Sequence, residues 1–192
     1  EFFKYRNIAF TDIRTGKASN FGVIRNKVAS FVNSLRLKRP SSSLGQKCSM
    51  DREDNIAVDL TGNVLTCQNT SVASFAPNGK SHQIGHVSNL VDVQLTTSTH
   101  WSHRSECPKC PMLQICQGAC MFLEDSLWET TCDNSYSDAV PVFASAIEFL
   151  TGYIPVLIEG DFRQDRKDLF GGFSHQTANT AKKPFPIPVV SA

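Results

Sequence analysis

The number and spacing of the cysteines limit most strongly what this chain can fold into. The 192 residues include seven cysteines, and five of them fall between Cys107 and Cys132. Core packing does not concentrate one residue type in this way, and an odd number excludes complete disulfide pairing within the chain. In a reducing compartment, clustered cysteines more often hold metal than form disulfides. The cluster therefore predicts a metal centre.

The spacing narrows the kind of metal centre. A Cys-x2-Cys step lets two thiolates converge on one centre through a tight turn. One tetrahedral zinc needs four ligands, so seven thiolates exceed one zinc site and are one short of two. A pair of iron–sulfur clusters, one with a free corner, accounts for all seven, and a zinc site with spare thiols is the alternative. In order the cysteines are Cys48, Cys67, Cys107, Cys110, Cys116, Cys120 and Cys132.

Composition excludes several classes of protein. With 41% hydrophobic and 19% charged residues the chain can bury a core, and its formal net charge is +1. A net charge this close to zero argues against a protein that binds along nucleic acid or anionic lipid surfaces. No apolar run approaches the roughly 20 residues that a membrane span needs. The start, Glu1-Phe2-Phe3-Lys4, is not a secretory signal. We therefore expect a cytoplasmic protein with no nucleic-acid or membrane partner.

Hydrophobic patterning predicts the main elements of the first half. The apolar content of residues 7–13 is typical of a strand, and 14–17 read as a turn. Residues 21–37 have the period of an amphipathic helix, with Ser19 or Asn20 as N-cap and a linker at 40–43. Residues 55–60 and 64–67 form β-prone runs around Gly62 and predict a hairpin, followed by a short strand and turn at 84–90.

The second half is dominated by the cysteine-rich segment. Residues 107–132 predict a loop with one helical turn, and 137–153 predict a helix. Pro141 is acceptable in the first turn of that helix, and Gly152 lies near its end. From Gly171 onward the glycines, paired lysines and prolines indicate an extended tail. The histidines are interpreted as solvated loop residues.

The cysteine run resembles the seven-cysteine signature of the SPASM domain, which carries auxiliary clusters in radical S-adenosylmethionine (SAM) enzymes that modify peptides and proteins. The resemblance covers about residues 46 to 150, and Gly62 with Asn63 and Val64 matches the hairpin of the family. It implies an α+β fold, in which a small β-hairpin, cysteine-rich loops and helices surround two iron–sulfur clusters. The implied domains are 1–45, the last strand and helix of a partial (β/α)6 radical SAM barrel; 46–153, the SPASM domain; and 154–192, a C-terminal extension.

The resemblance also implies two interleaved ligand sets for two auxiliary [4Fe-4S] clusters. Cys48, Cys67 and Cys120 would hold the first cluster. The second would be held by Cys107, Cys110, Cys116 and Cys132. Cys116 and Cys120 are close in sequence but would bind different clusters, so the halves of the domain would be joined by metal. Since metal binding here is also folding energy, losing one cluster should loosen the other site.

Two positions depart from relatives such as the sulfatase-maturing enzymes. Where some of them have an additional cysteine, this chain has Asp54, so the fourth iron of the first cluster would be open or bound by Asp51, Asp54, water or substrate. Where sulfatase maturases have an aspartate thought to act as base, this chain has Gln68, which accepts no proton at neutral pH. Sulfatase maturation is therefore disfavoured, and the catalytic residues stay unassigned.

The Cys-x3-Cys-x2-Cys run that holds the radical-generating cluster of the family does not occur in this sequence. We expect the chain to be the C-terminal portion of an enzyme whose N-terminal barrel binds SAM and a third [4Fe-4S] cluster. A peptide or protein substrate and a flavodoxin- or ferredoxin-type electron donor would be its partners. The implied reaction is an oxidative cross-link of thioether, C–C or C–O type, with the auxiliary clusters serving electron transfer or substrate binding. A stand-alone iron–sulfur electron-transfer module and a zinc-stabilised binding module are the alternatives.

Overall fold

The computed structural model describes residues 2–17, 22–37, 48–50, 52, 54–76, 79–94 and 99–171, and it combines helices with a small sheet. The helices are α1 (Phe2–Arg14), α2 (Gly22–Arg36), α3 (Leu113–Cys116) and α4 (Asp125–Thr151). The strands are β1 (Ala57–Val58), β2 (Asn63–Leu65) and β3 (Gln83–His86). Short 3₁₀ turns lie at Val87–Asp92, Trp101–His103, Cys107–Lys109 and Gln164–Arg166. None of the described helices is both long and apolar enough to cross a membrane.

Helix α4, 27 residues long, is the element on which the other helices pack. Helix α1 covers one face of it and α2 covers another, so α4 is apolar on two sides. The core on the α1 side consists of Phe10, Met112, Tyr136, Ala139, Val140, Ala144, Leu169 and Phe170. The core on the α2 side consists of Val28, Ala29, Phe31, Val32, Val142 and Ala146.

The strand predicted at residues 7–13 is wrong, because this segment belongs to helix α1. Its buried residues are Arg6, Phe10 and Ile13, which follow the three-to-four-residue spacing of one helix face. The guanidinium of Arg6 lies 5.0 Å from the centre of the Tyr136 ring, so a charged residue occupies the first position of the buried face. An apolar count does not register that position. The strand expected at the end of a barrel is therefore not present in these residues.

The helix predicted at 21–37 is confirmed as α2. Val28, Phe31 and Val32 are buried against α4, and the ring centres of Phe31 and Phe143 are 6.0 Å apart. The predicted turn at 14–17 is also confirmed, with Gly16 at a φ of 78°. The proposed N-cap residues and the linker at 40–43 lie outside the described residues.

The predicted hairpin is confirmed. Strands β1 and β2 are antiparallel, with Ala57 opposite Leu65 and Val58 opposite Val64. Gly62 in the connection has a φ of 90°, and a Cβ there would lie 2.7 Å from Nε2 of His86. Glycine is therefore needed both for the left-handed turn and for the close approach of β3. Strand β3 pairs with β2, and the 3₁₀ turn follows it, as the sequence predicted for 84–90.

The Asp59 carboxylate organises the hairpin turn. We therefore expect the stability of this turn to depend on pH in the acid range. That carboxylate accepts hydrogen bonds from the side chains and backbone N–H groups of Asn63 and Thr61, which lower its pKa from 3.8 to about 2. A depressed carboxyl pKa stabilises the folded turn above the unfolded pKa, and the contribution is lost as pH falls from about 4 to about 2. We expect an NMR titration of Asp59 to give a midpoint near 2, and Asp59→Asn to remove this pH dependence from the turn amides. A midpoint at the ordinary value would contradict the assignment.

Helix α4 begins at Asp125 rather than at residue 137, so the predicted start was wrong and the predicted loop at 107–132 is shorter. Pro141 lies inside the helix rather than in its first turn. The sequence between Glu129 and Ser135 is rich in Thr, Asp, Asn and Ser, which have modest helix propensity, so the pattern there was weak. Tertiary packing of Cys132 and Tyr136 overrides that weakness. Gly152 ends the helix in left-handed conformation, as predicted.

The segment after α4 folds back onto the helices as far as Gly171, the last described residue. The backbone N–H of Leu169 donates to the carbonyl of Val156 at 3.0 Å, and that of Ile158 to the carbonyl of Lys167 at 2.9 Å. These bonds place Leu169 and Phe170, both fully buried, in the core beside α1. The predicted extended tail beyond Gly171 lies outside the described residues.

Candidate metal centre

Four of the seven cysteines line one pocket, which we call the thiol pocket. The pocket is open to solvent on one side. Its cysteines are the four that the sequence resemblance assigned to the second cluster. The lining residues are Glu106, Cys107, Cys110, Met112, Leu113, Cys116, Gly118, Ala119, Cys132, Tyr136 and Arg166.

Two consecutive tight turns carry the first three of these cysteines. Pro108 stands at the start of the 3₁₀ turn Cys107–Lys109, and the N–H of Cys110 donates to the carbonyl of Cys107 at 3.1 Å. The N–H of Leu113 then donates to the carbonyl of Cys110 at 3.1 Å and opens the single turn of α3. Since α3 ends at Cys116, each turn brings one more sulfur to the same pocket.

A sharp reversal after α3 separates Cys116 from Cys120. Gln117, Gly118 and Ala119 have φ values of 58°, 77° and 56°, so three consecutive residues are left-handed. Only glycine adopts this conformation without a steric cost, and a run of three ends a helix abruptly. Cys116 lines the thiol pocket, whereas Cys120, beyond the reversal, does not.

The reversal makes Gly118 a sensitive position. A Cβ at Gly118 would lie 2.4 Å from the Cβ of Trp101, whereas Gly79, with a similar φ of 78°, has no atom within 4 Å of its built Cβ. We expect Gly79→Ala to cost about 1–2 kcal/mol for the left-handed backbone alone. Gly118→Ala should cost about 1–3 kcal/mol more, because the clash forces the loop to move. Urea unfolding of both variants measures the difference, and equal losses would contradict this description of the reversal.

The fourth cysteine of the pocket comes from α4. Cys132 is buried one helical turn before Tyr136, which also lines the pocket. Both positions continue the buried face that contacts α1. The fourth sulfur is therefore fixed by the longest helix of the fold rather than by a loop.

Arg166 closes the pocket from the returning C-terminal segment. Its side chain is 4% exposed, and its Nη2 donates to Sγ of Cys132 at 3.3 Å and to Oδ1 of Asp133 at 2.7 Å. The guanidinium carbon lies 4.8 Å from the centre of the Tyr136 ring. Its Nε is buried and has no hydrogen-bond acceptor within the described part of the chain. A buried donor of this kind is costly unless an acceptor is present in the pocket.

The pocket disfavours bare thiolates. Burial, with a smaller contribution from the neighbouring thiolates, raises the pKa of Cys107 to about 12. Burial likewise raises the pKa of Cys110 to about 11. A bound cationic centre reverses this preference, since coordination deprotonates a thiol outright. At neutral pH the Cys107 and Cys110 side chains are therefore neutral thiols rather than free nucleophiles unless a cation binds them.

The described contacts do not bring the three cysteines predicted for the first cluster together. Cys48 is exposed, Cys67 and Cys120 are half-buried, and none of them lines the thiol pocket. Among the described residues, no three His, Cys, Asp or Glu side chains converge closely enough to hold a single metal ion. Asp54 forms an ion pair with Arg52, whose hydrogen bond lowers its pKa, and Asp51 lies outside the described residues.

One of the histidines is not solvated, which corrects the prediction. His82 is 7% exposed, its Nδ1 lies 2.6 Å from Oγ1 of Thr66, and its ring meets Phe122 edge-on with centroids 5.8 Å apart. It therefore connects the hairpin to the segment that follows Cys120. His86 is exposed and bonds the turn at Thr61, so it contributes to local structure.

Sequence reasoning did not identify Arg166, Tyr136 or Arg104 as parts of the site. The guanidinium carbon of Arg104 lies 4.5 Å from the centre of the Trp128 ring. Burial lowers the pKa of Arg104, and the nearby thiolates of Cys107 and Cys132 oppose that shift. Because the sequence predicts that α4 starts at residue 137, it does not place Cys132 and Tyr136 one turn apart on the same helix. Arg166 lies in a charged stretch that is typical of a solvated loop, and nothing in the sequence singles it out.

Comparison with protein-family models, with curated proteins and with solved structures found no match to this chain. The site is therefore interpreted from its own donors. Four thiols around one space suit a four-cysteine iron–sulfur cluster. The Arg166 guanidinium, whose Nη2 donates to Sγ of Cys132 at 3.3 Å, supplies a hydrogen bond to one of these sulfurs. On both counts the thiol pocket fits a [4Fe-4S] cluster.

Proposed function

We propose that this chain is the auxiliary iron–sulfur portion of a radical SAM enzyme that modifies a peptide or protein, and that the thiol pocket holds its second auxiliary cluster. One observation carries the proposal. The pocket is lined by Cys107, Cys110, Cys116 and Cys132 and omits Cys120, the cysteine between the last two. This skipped order is the one that the resemblance to SPASM domains implies.

A zinc-stabilised binding module is the alternative. In a four-cysteine zinc site each sulfur lies about 2.3 Å from one metal ion, and no inorganic sulfide is present. Iron and acid-labile sulfide analysis distinguishes the two, because zinc without sulfide would identify the binding module.

The residues of this chain hold the cluster and shape its surroundings. The cluster, when bound, supplies a site that accepts or passes on one electron. Cys107, Cys110 and Cys116 offer sulfurs from the loop, and Cys132 offers one from α4. Tyr136 and the core beneath it exclude water from one side, and the Tyr136 hydroxyl donates to the carbonyl of Arg166 at 2.6 Å.

The first cluster is proposed for Cys48, Cys67 and Cys120, with its fourth ligand open. The support is indirect: Thr66, next to Cys67, bonds to His82, and the His82 ring meets Phe122, two residues after Cys120. The segments that carry Cys67 and Cys120 therefore both contact His82.

The rest of the proposed enzyme lies outside this chain. A radical SAM barrel would bind SAM and a third [4Fe-4S] cluster and would take an electron from a flavodoxin- or ferredoxin-type donor. The substrate would be a peptide or protein that receives an oxidative cross-link. We place the enzyme in the cytoplasm, where thiols stay reduced.

Mass spectrometry of candidate peptides co-expressed with the full-length enzyme tests this function. We expect a product that has lost a hydrogen pair relative to the unmodified peptide, formed only when the thiol-pocket cysteines are intact. Loaded clusters in a protein whose complete coding sequence has no Cys-x3-Cys-x2-Cys run would instead identify an electron-transfer module and would contradict the proposal.

A further inference from the structure

We propose that Arg166 is a positioning residue for the second cluster, which orients the Cys132 thiolate and raises the reduction potential of the cluster through a hydrogen bond and a fixed positive charge. This inference rests on the proposed function, because it assumes that the thiol pocket is loaded.

The backbone around Arg166 is fixed at both ends. Its carbonyl accepts the hydroxyl of Tyr136 on α4, and the adjoining strand-like segment is held by the bond from the N–H of Leu169 to the carbonyl of Val156 at 3.0 Å. The side chain is 4% exposed, so its position is set by packing rather than by solvent. A long cation held in this way has little rotamer freedom left to lose on binding.

The guanidinium is oriented toward sulfur. Asp133, the residue after Cys132, accepts Nη2 of Arg166 at 2.7 Å, and the same Nη2 lies 3.3 Å from the Cys132 sulfur. Two adjacent residues of α4 therefore share one donor. The buried Nε has no acceptor among the described residues, so the guanidinium keeps one unused donor beside the sulfur.

Electrostatics give the direction of the effect. Reduction adds negative charge to a cluster, so a nearby cation and hydrogen bonds to its sulfurs favour the reduced form. A guanidinium is not deprotonated in proteins, so it stays charged throughout the working pH range. Arg166 is therefore a fixed positive charge beside the Cys132 sulfur.

Arg163 supplies a matched control. It also bonds Oδ1 of Asp133, at 3.2 Å, and pairs with Asp165 at 2.7 Å, but its side chain is 37% exposed and it does not line the thiol pocket. Arg163→Gln removes the same charge from the same segment without removing a bond to sulfur. Arg166→Lys keeps the charge and removes the planar donor fork.

The test is an anaerobic redox titration followed by electron paramagnetic resonance, on the full chain after iron and sulfide loading. The signal lost in Cys107→Ala identifies the second cluster. We expect Arg166→Gln to lower its midpoint potential by about 59 mV, a tenfold lower ratio of reduced to oxidised cluster at fixed potential. Arg166→Lys should fall between Arg166→Gln and wild type, and Arg163→Gln should match wild type.

Three outcomes are distinguishable. A loaded Arg166→Gln variant whose potential equals that of Arg163→Gln overturns this inference and leaves the proposed function standing. If Arg166→Gln does not fold or load, Arg166→Lys decides, and an unchanged potential in a loaded lysine variant also overturns the inference. A wild-type chain that binds no iron contradicts the proposed function itself.

Discussion

Replacement of Cys116 by alanine should deplete the second cluster and abolish peptide modification, while SAM cleavage by the complete enzyme persists at some level. The variant removes one of the four sulfurs of the thiol pocket. Cys120 should not substitute, because it follows the left-handed run from Gln117 to Ala119 and does not line the pocket. Iron and sulfide analysis should show a loss of about four iron atoms per chain, the content of one cluster.

Cys120→Ala is the matched control for that experiment. It removes a cysteine from the same loop but none of the pocket ligands, so the spectrum of the second cluster should persist in it, although weakened if the two sites support each other. Undiminished product formation by Cys116→Ala would show that the grouping of the cysteines is wrong. Equal loss of the second-cluster spectrum in both variants would show that the reversal does not separate their roles.

Replacement of Phe170 by alanine should destabilise the fold by about 3–5 kcal/mol, the usual cost of removing a large buried aromatic side chain. Phe170 is fully buried, and its ring centre lies 5.1 Å from that of Phe10 on α1. It holds the returning segment, and with it Arg166, against the helices. Urea unfolding of the loaded variant and the loaded wild type under anaerobic conditions measures the loss.

Phe75→Ala is the control for the same chemical change at the surface. The Phe75 side chain is 65% exposed, so its removal should change the free energy of unfolding by no more than about 0.5 kcal/mol. The second-cluster potential should also change in Phe170→Ala and not in Phe75→Ala. Equal stability losses would mean that α1 and the returning segment do not form one core with α4.

Elements with a complete local signal were predictable from the sequence. Helix α2 has an uninterrupted apolar stripe through Val28, Phe31 and Val32, and the hairpin has β-prone runs around Gly62. In both cases the local pattern and the tertiary packing agree, which is why pattern alone was sufficient.

Helix α1 and the start of α4 were not predictable, because packing decides them. The buried face of α1 begins with Arg6, whose guanidinium bonds Ser137 and stacks on Tyr136 of α4. The first turns of α4 contain polar residues of modest helix propensity and are held by the burial of Cys132. A buried face that begins with a charged residue, or that lies among residues of modest helix propensity, leaves only a weak apolar period in the local sequence.

The candidate site likewise contains residues that sequence features predict and residues that only tertiary packing brings to it. The two-residue spacing of Cys107 and Cys110 predicted a shared centre, and the resemblance to SPASM domains added Cys116 and Cys132. All four line the thiol pocket. Arg166 comes from a segment that reaches the pocket only after folding back over α4, so no spacing rule could predict it. The position of Cys48 and Cys67 relative to Cys120 stays a prediction.

Iron and acid-labile sulfide analysis of the anaerobically purified chain, with Mössbauer spectroscopy, tests the central claim most directly. We expect a brown protein with iron and sulfide in equal amounts, of which about four irons per chain depend on Cys107, Cys110, Cys116 and Cys132. A folded chain that carries zinc without sulfide, or that is colourless and free of iron, would contradict the account.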